Sequence, residues 1–317
     1  MNRRGWVLIG LFALVGAACA NSSTETSLSA PTTTTLLPTT TSTATSTTTL
    51  ARTTTTASSA TSTPPSLEGN WGSAPLVASS FFALGWWDGA AWVQVEDSTA
   101  LPVIGGEDYQ VALLGKEAII TGGPPATFEC GSFIGQGVVF ENEQALGEWP
   151  GPIGVAISAP WAIAPHPVAV IEDDGTYSAV ATELLAERGL DVPNPLMKQV
   201  IRVDLEGDGV DEVLAVAERV SGEFQADQGD YSIVFLSRML DGVLVTDVLL
   251  DNVVAEVVST SGFPTRVSYS VAALADLNDD ARMEMVLNVD YGEELDIGVW
   301  ELLDEGPVPQ IGTGCGA

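Results

Sequence analysis

The chain has 317 residues, with 42 acidic side chains against 11 basic ones, a single histidine and a formal net charge of −31 at pH 7. This charge excludes nucleic acid as a partner, because binding to phosphate groups requires a basic surface. Apolar residues make up 45% of the chain, which is enough for a sizeable hydrophobic core.

The N-terminal segment predicts export from the cytoplasm. Two arginines precede an apolar run over residues 5–18, which is too short to span a bilayer core of about 30 Å and is typical of a signal peptide. The small residues at 16–18, directly before Cys19, resemble a bacterial lipobox. The resemblance implies that the signal peptide 1–18 is removed and that Cys19 becomes a lipidated N-terminus held in the cell membrane. Cleavage nearby without lipidation, which would give a secreted protein, is the alternative.

Residues 19–66 are predicted to be a tether. After Cys19 they are almost entirely Thr, Ser, Ala and Pro. Such a segment buries too little apolar area to offset the entropy lost on ordering, so we expect it to be disordered and extended. It would raise a domain formed by residues 67–317 off the membrane.

The domain begins with strand signals. Two Asp-Gly pairs separate apolar runs and predict β-hairpins, because these residues adopt the backbone of a tight turn. The pairs are Asp88-Gly89 and Asp241-Gly242. Three tryptophans lie around the first hairpin, and we interpret them as core and cross-strand packing, with a sugar-stacking platform as the alternative. They are Trp86, Trp87 and Trp92.

Cysteine usage agrees with export. If Cys19 carries lipid, Cys130 and Cys315 remain as an even pair in an oxidising compartment, and we predict a disulfide between them. Two free buried thiols are the alternative.

One helix is predicted between residues 174 and 189. Asp174 and Thr176 offer an N-terminal cap, Val180 and Leu184 recur at helical spacing, and Gly189 follows the last turn. We expect this helix to pack on a sheet edge just before a strand that begins near residue 198.

The segment 204–212, DLEGDGVDE, is the most informative motif. Oxygen-bearing side chains occupy its first, third, fifth and ninth positions around two glycines, as a loop that wraps a calcium ion requires. An apolar run follows in place of a helix, so the loop is predicted to join two strands rather than to form an EF-hand. The predicted ligands are the side chains of Asp204, Glu206, Asp208 and Glu212 and the carbonyl of Val210, whereas Asp211 should face solvent.

A second copy, DLNDDARME, occupies residues 276–284. Its predicted calcium ligands are Asp276, Asn278, Asp280 and Glu284, with Arg282 at the seventh position, where Val210 offers its carbonyl. Asp279 and Ala281 replace the two glycines, so this copy should be more strained and bind more weakly. For both segments, acidic β-turns without a cation are the alternative.

These two segments and the apolar residues around them resemble the FG-GAP repeats of integrin-like and VCBS-type extracellular proteins. The resemblance covers about residues 198–303. It implies a calcium-binding loop between two strands of a β-propeller-like blade, in a module that serves adhesion or ligand binding. We therefore predict a mainly β fold with FG-GAP or β-propeller-like blades and one helical insertion. A closed propeller needs several blades, and the sequence indicates only two.

The sequence favours a non-catalytic protein. It contains no Gly-x-Ser-x-Gly elbow, His-Glu-x-x-His helix or phosphate-binding glycine loop, and its one histidine, His166, lies between two prolines. We predict a calcium-stabilised extracytoplasmic surface lipoprotein that binds a protein or a glycan. The alternatives are an extracellular hydrolase, such as a glycoside hydrolase with an unrecognised carboxylate pair, and a purely structural envelope protein.

Overall fold

The computed structural model describes residues 67–80, 82–96, 99–130, 133–256 and 264–316, apart from a few side chains within them. The signal peptide, Cys19 and the tether therefore lie outside the described residues. The side chains of Cys130 and Cys315 also lie outside them, and the disulfide stays a prediction. In the described part of the chain, no helix is long and apolar enough to cross a membrane.

The N-terminal part of the domain forms a seven-stranded antiparallel sheet with the order β3-β2-β1-β7-β4-β5-β6. Its strands are β1 (Leu76–Ala78), β2 (Ala83–Trp87), β3 (Trp92–Gln94), β4 (Asp108–Ala112), β5 (Ile119–Cys130), β6 (Phe133–Phe140) and β7 (Val155–Ile157). A short 3-10 helix, Glu143–Leu146, lies between the last two.

The first predicted hairpin is present in this sheet. Trp87 pairs with Trp92 across a four-residue loop, in which the Asp88 carboxylate accepts the N–H groups of Ala90 and Ala91 and Gly89 has a positive φ of 95°. The rings of Trp87 and Trp92 meet edge to face at 5.6 Å, and Trp92 packs against the core. Trp86 packs against another buried cluster of this sheet, so Trp86 and Trp92 contact core residues and Trp87 packs on Trp92.

The rest of the domain forms two smaller sheets, in which neighbouring strands are consecutive in the chain and antiparallel. The five-stranded sheet contains β8 (Val168–Val170), β9 (Met197–Val203), β10 (Glu212–Arg219), β11 (Tyr231–Leu240) and β12 (Val243–Val253). The four-stranded sheet contains β13 (Ser268–Ala275), β14 (Glu284–Asp290), β15 (Glu294–Leu303) and β16 (Gly306–Gly316). Leu240 pairs with Val243 across the predicted Asp-Gly turn.

The helix α1 spans Thr176–Glu187 and begins and ends close to the predicted signals. The Asp173 carboxylate accepts the N–H groups of Tyr177 and Ser178, and Gly189 after the last turn has a positive φ of 82°. The helix packs against buried residues in the middle of β10 and β11, so it covers a face of the five-stranded sheet rather than an edge. Small residues such as Ala215 and Ala217 on that face leave room for it.

The four-stranded sheet is buried on both faces. One face packs with the five-stranded sheet in a cluster that includes Val271 and Met285, and the other packs with the seven-stranded sheet in a cluster that includes Ala272 and Val286. Every residue of β13 is buried for this reason. The fold is thus mainly β with one α-helical insertion among the described residues, as predicted. The five-stranded and four-stranded sheets are meanders, and their strand order fits propeller-like blades.

Side-chain amides join the sheets. Gln199 of β9 both donates to the carbonyl and accepts from the N–H of Val271, at distances of 2.9 and 2.8 Å. Asn288 of β14 does the same with Ile153, at 2.9 and 2.7 Å. Because buried backbone groups must be paired, these amides fix where one sheet lies on the next.

Candidate metal centre at two paired acidic loops

The first acidic loop runs from the end of β9 to the start of β10, between strands as predicted. The carboxylate of Asp204, its first residue, accepts the N–H groups of Gly207, Asp208 and Gly209 at 2.7, 3.1 and 2.8 Å. Three bonds from successive backbone amides wind the chain tightly around this carboxylate. The first residue must therefore offer a side-chain oxygen acceptor, whether or not a cation is bound.

The second loop repeats this arrangement between β13 and β14. The carboxylate of Asp276 accepts four backbone N–H groups at 2.8–3.3 Å, those of Asn278, Asp279, Asp280 and Ala281. Asp276 is 3% exposed, whereas Asp204 is only partly buried. The second loop is therefore built more deeply into the protein than the first.

The two loops share their backbone conformation at the positions of the glycines. Gly207 and Gly209 have φ of 72° and 85°, and their counterparts Asp279 and Ala281 have φ of 65° and 64°. A residue with a Cβ is strained in this left-handed region. The predicted strain of the second loop is thus visible in its backbone.

A glutamate closes each loop from its ninth position. Glu212 accepts the N–H of Leu205 at 2.8 Å, and Glu284 accepts that of Leu277 at 2.6 Å. Both side chains are buried, Glu212 with 2% and Glu284 with 0% of its surface exposed. The first and ninth residues of each loop therefore hold it together from opposite ends.

Burial dominates the ionisation of these two glutamates. It raises the pKa of Glu212 to about 7 and that of Glu284 to about 9, and the bond from the backbone N–H opposes the rise in each case. The neighbouring loop carboxylates add to it by repulsion. Each site therefore concentrates negative charge in a place where a proton or a cation would relieve it.

The seventh residues, Val210 and Arg282, were expected to offer carbonyl ligands. Their N–H groups donate at 2.8 Å to the fifth residues, Asp208 and Asp280. This bond fixes the fifth carboxylate of each loop in the same orientation. Asp211 is exposed, as expected.

The loops contact each other directly. The Arg282 guanidinium of the second loop binds the Glu206 carboxylate of the first at 3.1 Å and also donates to the Leu302 carbonyl. The Met283 N–H donates to the Leu205 carbonyl at 2.9 Å. Glu206, a predicted ligand in its own loop, is therefore engaged by the neighbouring loop.

His166 supports this contact from one side. Its Nε2 lies 3.0 Å from the Ala281 carbonyl, which can only accept, so this nitrogen donates. A Cβ built on Gly207 would lie 3.0 Å from the same nitrogen. His166 is thus a structural residue of the loop pair. The sequence could not show this, because its partner lies far away in the chain.

Three carboxylates converge beside the second loop. Within the described residues, Asp280, Glu284 and Glu301 each offer an oxygen, and these oxygens all lie within 4.8 Å of one another. The Oε1 atom of Glu284 is buried and accepts no hydrogen bond from the described part of the chain. Carboxylate oxygens and an unpartnered buried acceptor fit a hard divalent cation such as calcium. Sequence reasoning missed Glu301, because only strand pairing brings it to the loop.

The fold and the loops define a mainly β protein with a duplicated acidic loop held between the strands of two blade-like meanders. A comparison of the chain with protein-family models, with curated proteins and with solved structures finds no match. The similarity to FG-GAP repeats therefore rests on the loop residues and their spacing.

Proposed function

We propose that this protein is a non-catalytic, calcium-stabilised surface lipoprotein that binds an extracellular protein or glycan. The observation that carries the proposal is the convergence of Asp280, Glu284 and Glu301 on a buried acceptor, Glu284 Oε1, that has no partner in the described part of the chain. Burying such charge is unfavourable unless an opposite charge or a proton accompanies it. Calcium would supply that charge and hold together the strands on either side of the loop.

A structural role for the cation fits the position of the loops. The first loop joins two inner strands of the five-stranded sheet, and the second joins the edge strand β13 to β14 in the four-stranded sheet. The two loops touch through Arg282 and Glu206. Calcium bound at either loop would therefore stiffen the contact between the two meanders. The full burial of Glu284 supports a role in holding the fold.

Thermal unfolding of the full-length protein with calcium added back after chelation tests the calcium proposal. At a calcium concentration 100 times Kd, binding stabilises the folded state by about 2.7 kcal/mol. This corresponds to about 5–10 °C in Tm for a domain of this size. Calcium should have a much smaller effect on a variant with Asp208→Asn and Asp280→Asn, which lacks the fifth carboxylate of both loops.

The chain offers a matched control for this experiment. A variant with Asp211→Asn and Asp279→Asn loses the same charge from the same two loops at exposed residues outside the oxygen pattern. It should respond to calcium like the parent. A parent protein that does not respond to calcium would overturn the proposal and leave the loops as acidic turns.

The surface location and the ligand need tests of their own. The residues before Cys19 support lipidation, which predicts incorporation of labelled palmitate in a bacterial host and its loss in Cys19→Ser. A parent chain that takes up no label would be secreted or processed elsewhere. Ligand binding is tested on arrays of proteins and glycans, where the absence of any specific signal would favour a purely structural envelope protein.

A further inference from the structure

Glu301 lies on β15 beside the ninth residue of the second loop. Met285 of β14 pairs with Trp300 and Val286 with Val299, so the next step of the register places Glu284 opposite Glu301. Directly opposed side chains on one face of an antiparallel pair have Cβ atoms about 5 Å apart, and like charges in such pairs are destabilising. A glutamate pair at this position therefore requires a proton or a cation to compensate it.

Among the residues that the structure describes, no uncommitted cationic side chain accompanies the pair. Burial raises the pKa of Glu301, and the nearby Arg282 guanidinium only partly opposes this rise. That guanidinium already binds Glu206 and the Leu302 carbonyl. The buried indole N–H of Trp92, from strand β3, also lies near Glu301 but makes no hydrogen bond within the described residues. The groups near the pair are therefore Arg282, which already binds other partners, and the neutral indole of Trp92.

The buried member of the pair has a free acceptor. Glu284 uses Oε2 to accept the Leu277 N–H, while Oε1 is enclosed and has no partner among the described residues. Asp280 brings a third carboxylate oxygen within 4.8 Å of the other two. Three carboxylates that converge on a buried, unsatisfied oxygen form a set of ligands for a cation that prefers oxygen.

The equivalent place in the first repeat is different. The register of β10 with β11 pairs Val213 with Ser237, so its next step places Arg238 opposite Glu212. Arg238 is 4% exposed and forms an ion pair with Asp247 at 2.8 Å. A basic residue at this position cannot act as a ligand. A cation site completed by the neighbouring strand is therefore available to the second loop and not to the first.

We propose that Glu301 is a ligand of the second calcium site, so that Asp280, Glu284 and Glu301 hold one calcium ion between the loop and strand β15. This inference rests on the proposed calcium function and adds a ligand that lies outside the repeated motif. The ion connects the β13–β14 loop to the third strand of the sheet. The second site, despite its strained loop, then has a carboxylate that the first site lacks.

Calcium titration of the full-length protein by calorimetry, with Glu301→Gln as the variant, tests the inference. Even residues that only contact metal ligands change affinity by about 10–100-fold when replaced, so loss of a ligand should weaken one site at least about tenfold. Glu294→Gln, at the exposed far end of the same strand, removes the same charge and should bind as the parent does. Glu301→Asp keeps a carboxylate and should retain part of the affinity.

Terbium provides a second measurement, because it replaces calcium at oxygen sites and its emission is sensitised by a nearby indole. The Trp92 indole beside Glu301 should sensitise terbium in the parent, and Glu301→Gln should lose most of this emission. If Glu301→Gln binds calcium with the affinity of the parent and keeps the emission, the inference is wrong while the proposed calcium function stands. If the parent binds no calcium, both are wrong.

Discussion

The two acidic loops follow the same backbone path with different residues. In the first, Gly207 and Gly209 adopt positive φ without strain and the loop is mostly exposed. In the second, Asp279 and Ala281 adopt the same φ, while the first carboxylate of the loop is buried and accepts four backbone N–H groups.

This comparison shows which residues determine the loop. The glycines are not required for the conformation, since the second loop forms without them. The common features are an aspartate that gathers backbone N–H groups and a buried glutamate that closes the loop. The glycines lower the cost of the turn, whereas the two carboxylates specify it.

The comparison is tested most strongly by removing the first aspartate of each loop. In chelator, Asp276→Ala should destabilise the protein by about 2–4 kcal/mol, because it leaves backbone N–H groups of a partly buried loop without an acceptor. Asp204→Ala should cost only about 1 kcal/mol, since water can replace the carboxylate at the more exposed loop. Urea unfolding of both variants measures the difference.

Asp276→Asn is the control for this pair of variants. It removes the charge and keeps an acceptor oxygen, so it should lose clearly less stability than Asp276→Ala. If Asp276→Ala and Asp204→Ala lose the same stability, burial of the second loop does not increase the contribution of its first carboxylate. The proposed difference between the two loops would then be wrong.

The sequence predicts the parts of this site that depend on local chemistry. The oxygen spacing places both loops between strands, and the Asp-Gly pairs and the helix signals give the hairpins and α1 nearly at their observed bounds. Glu301 and the pairing of Arg282 with Glu206 were not predictable, because they depend on which strands become neighbours. For the same reason the helix was expected at a sheet edge, whereas the small residues of β10 admit it onto a face.

The second prediction concerns pH and uses the two closing glutamates. Burial raises the pKa of Glu284 from 4.5 to about 9 in the folded protein, so the folded state binds its proton more tightly than the unfolded state. In chelator, the stability contributed by this proton is fully present below about pH 4.5 and is lost as pH rises through about 9. For Glu212 the loss is complete near pH 7.

Neutral variants make this difference measurable. In chelator, Glu284→Gln should become more stable than the parent as pH rises, by about 4 °C or more in Tm at pH 9, which corresponds to about 1–2 kcal/mol. The advantage of Glu212→Gln should stop growing near pH 7. Thermal unfolding at several pH values measures both curves. A constant gap between Glu284→Gln and the parent across this range would show that the burial of Glu284 has no such effect.

The smallest expected effect comes from exchanging the residues at positive φ. Gly209→Ala should destabilise the protein by about 1 kcal/mol, because a left-handed residue with a Cβ is strained by about 1–2 kcal/mol, partly offset by a less flexible unfolded chain. A Cβ at Gly209 would meet no atom within 4 Å, so the cost is conformational and not steric. Ala281→Gly should reverse the sign and stabilise the second loop by about 0.5 kcal/mol.

Gly242→Ala calibrates this last experiment, since Gly242 also has a positive φ and open space around its Cβ position but lies in the β11–β12 turn. Urea unfolding in chelator measures the three variants. Gly209→Ala and Gly242→Ala should lower the midpoint by similar amounts, and Ala281→Gly should raise it above that of the parent. If Ala281→Gly is destabilising, the positive φ of Ala281 does not reduce the stability of the folded protein, and the carboxylates hold the second loop in place. The stability of the loop conformation would then come from the glycines in the more exposed first loop and from burial in the second.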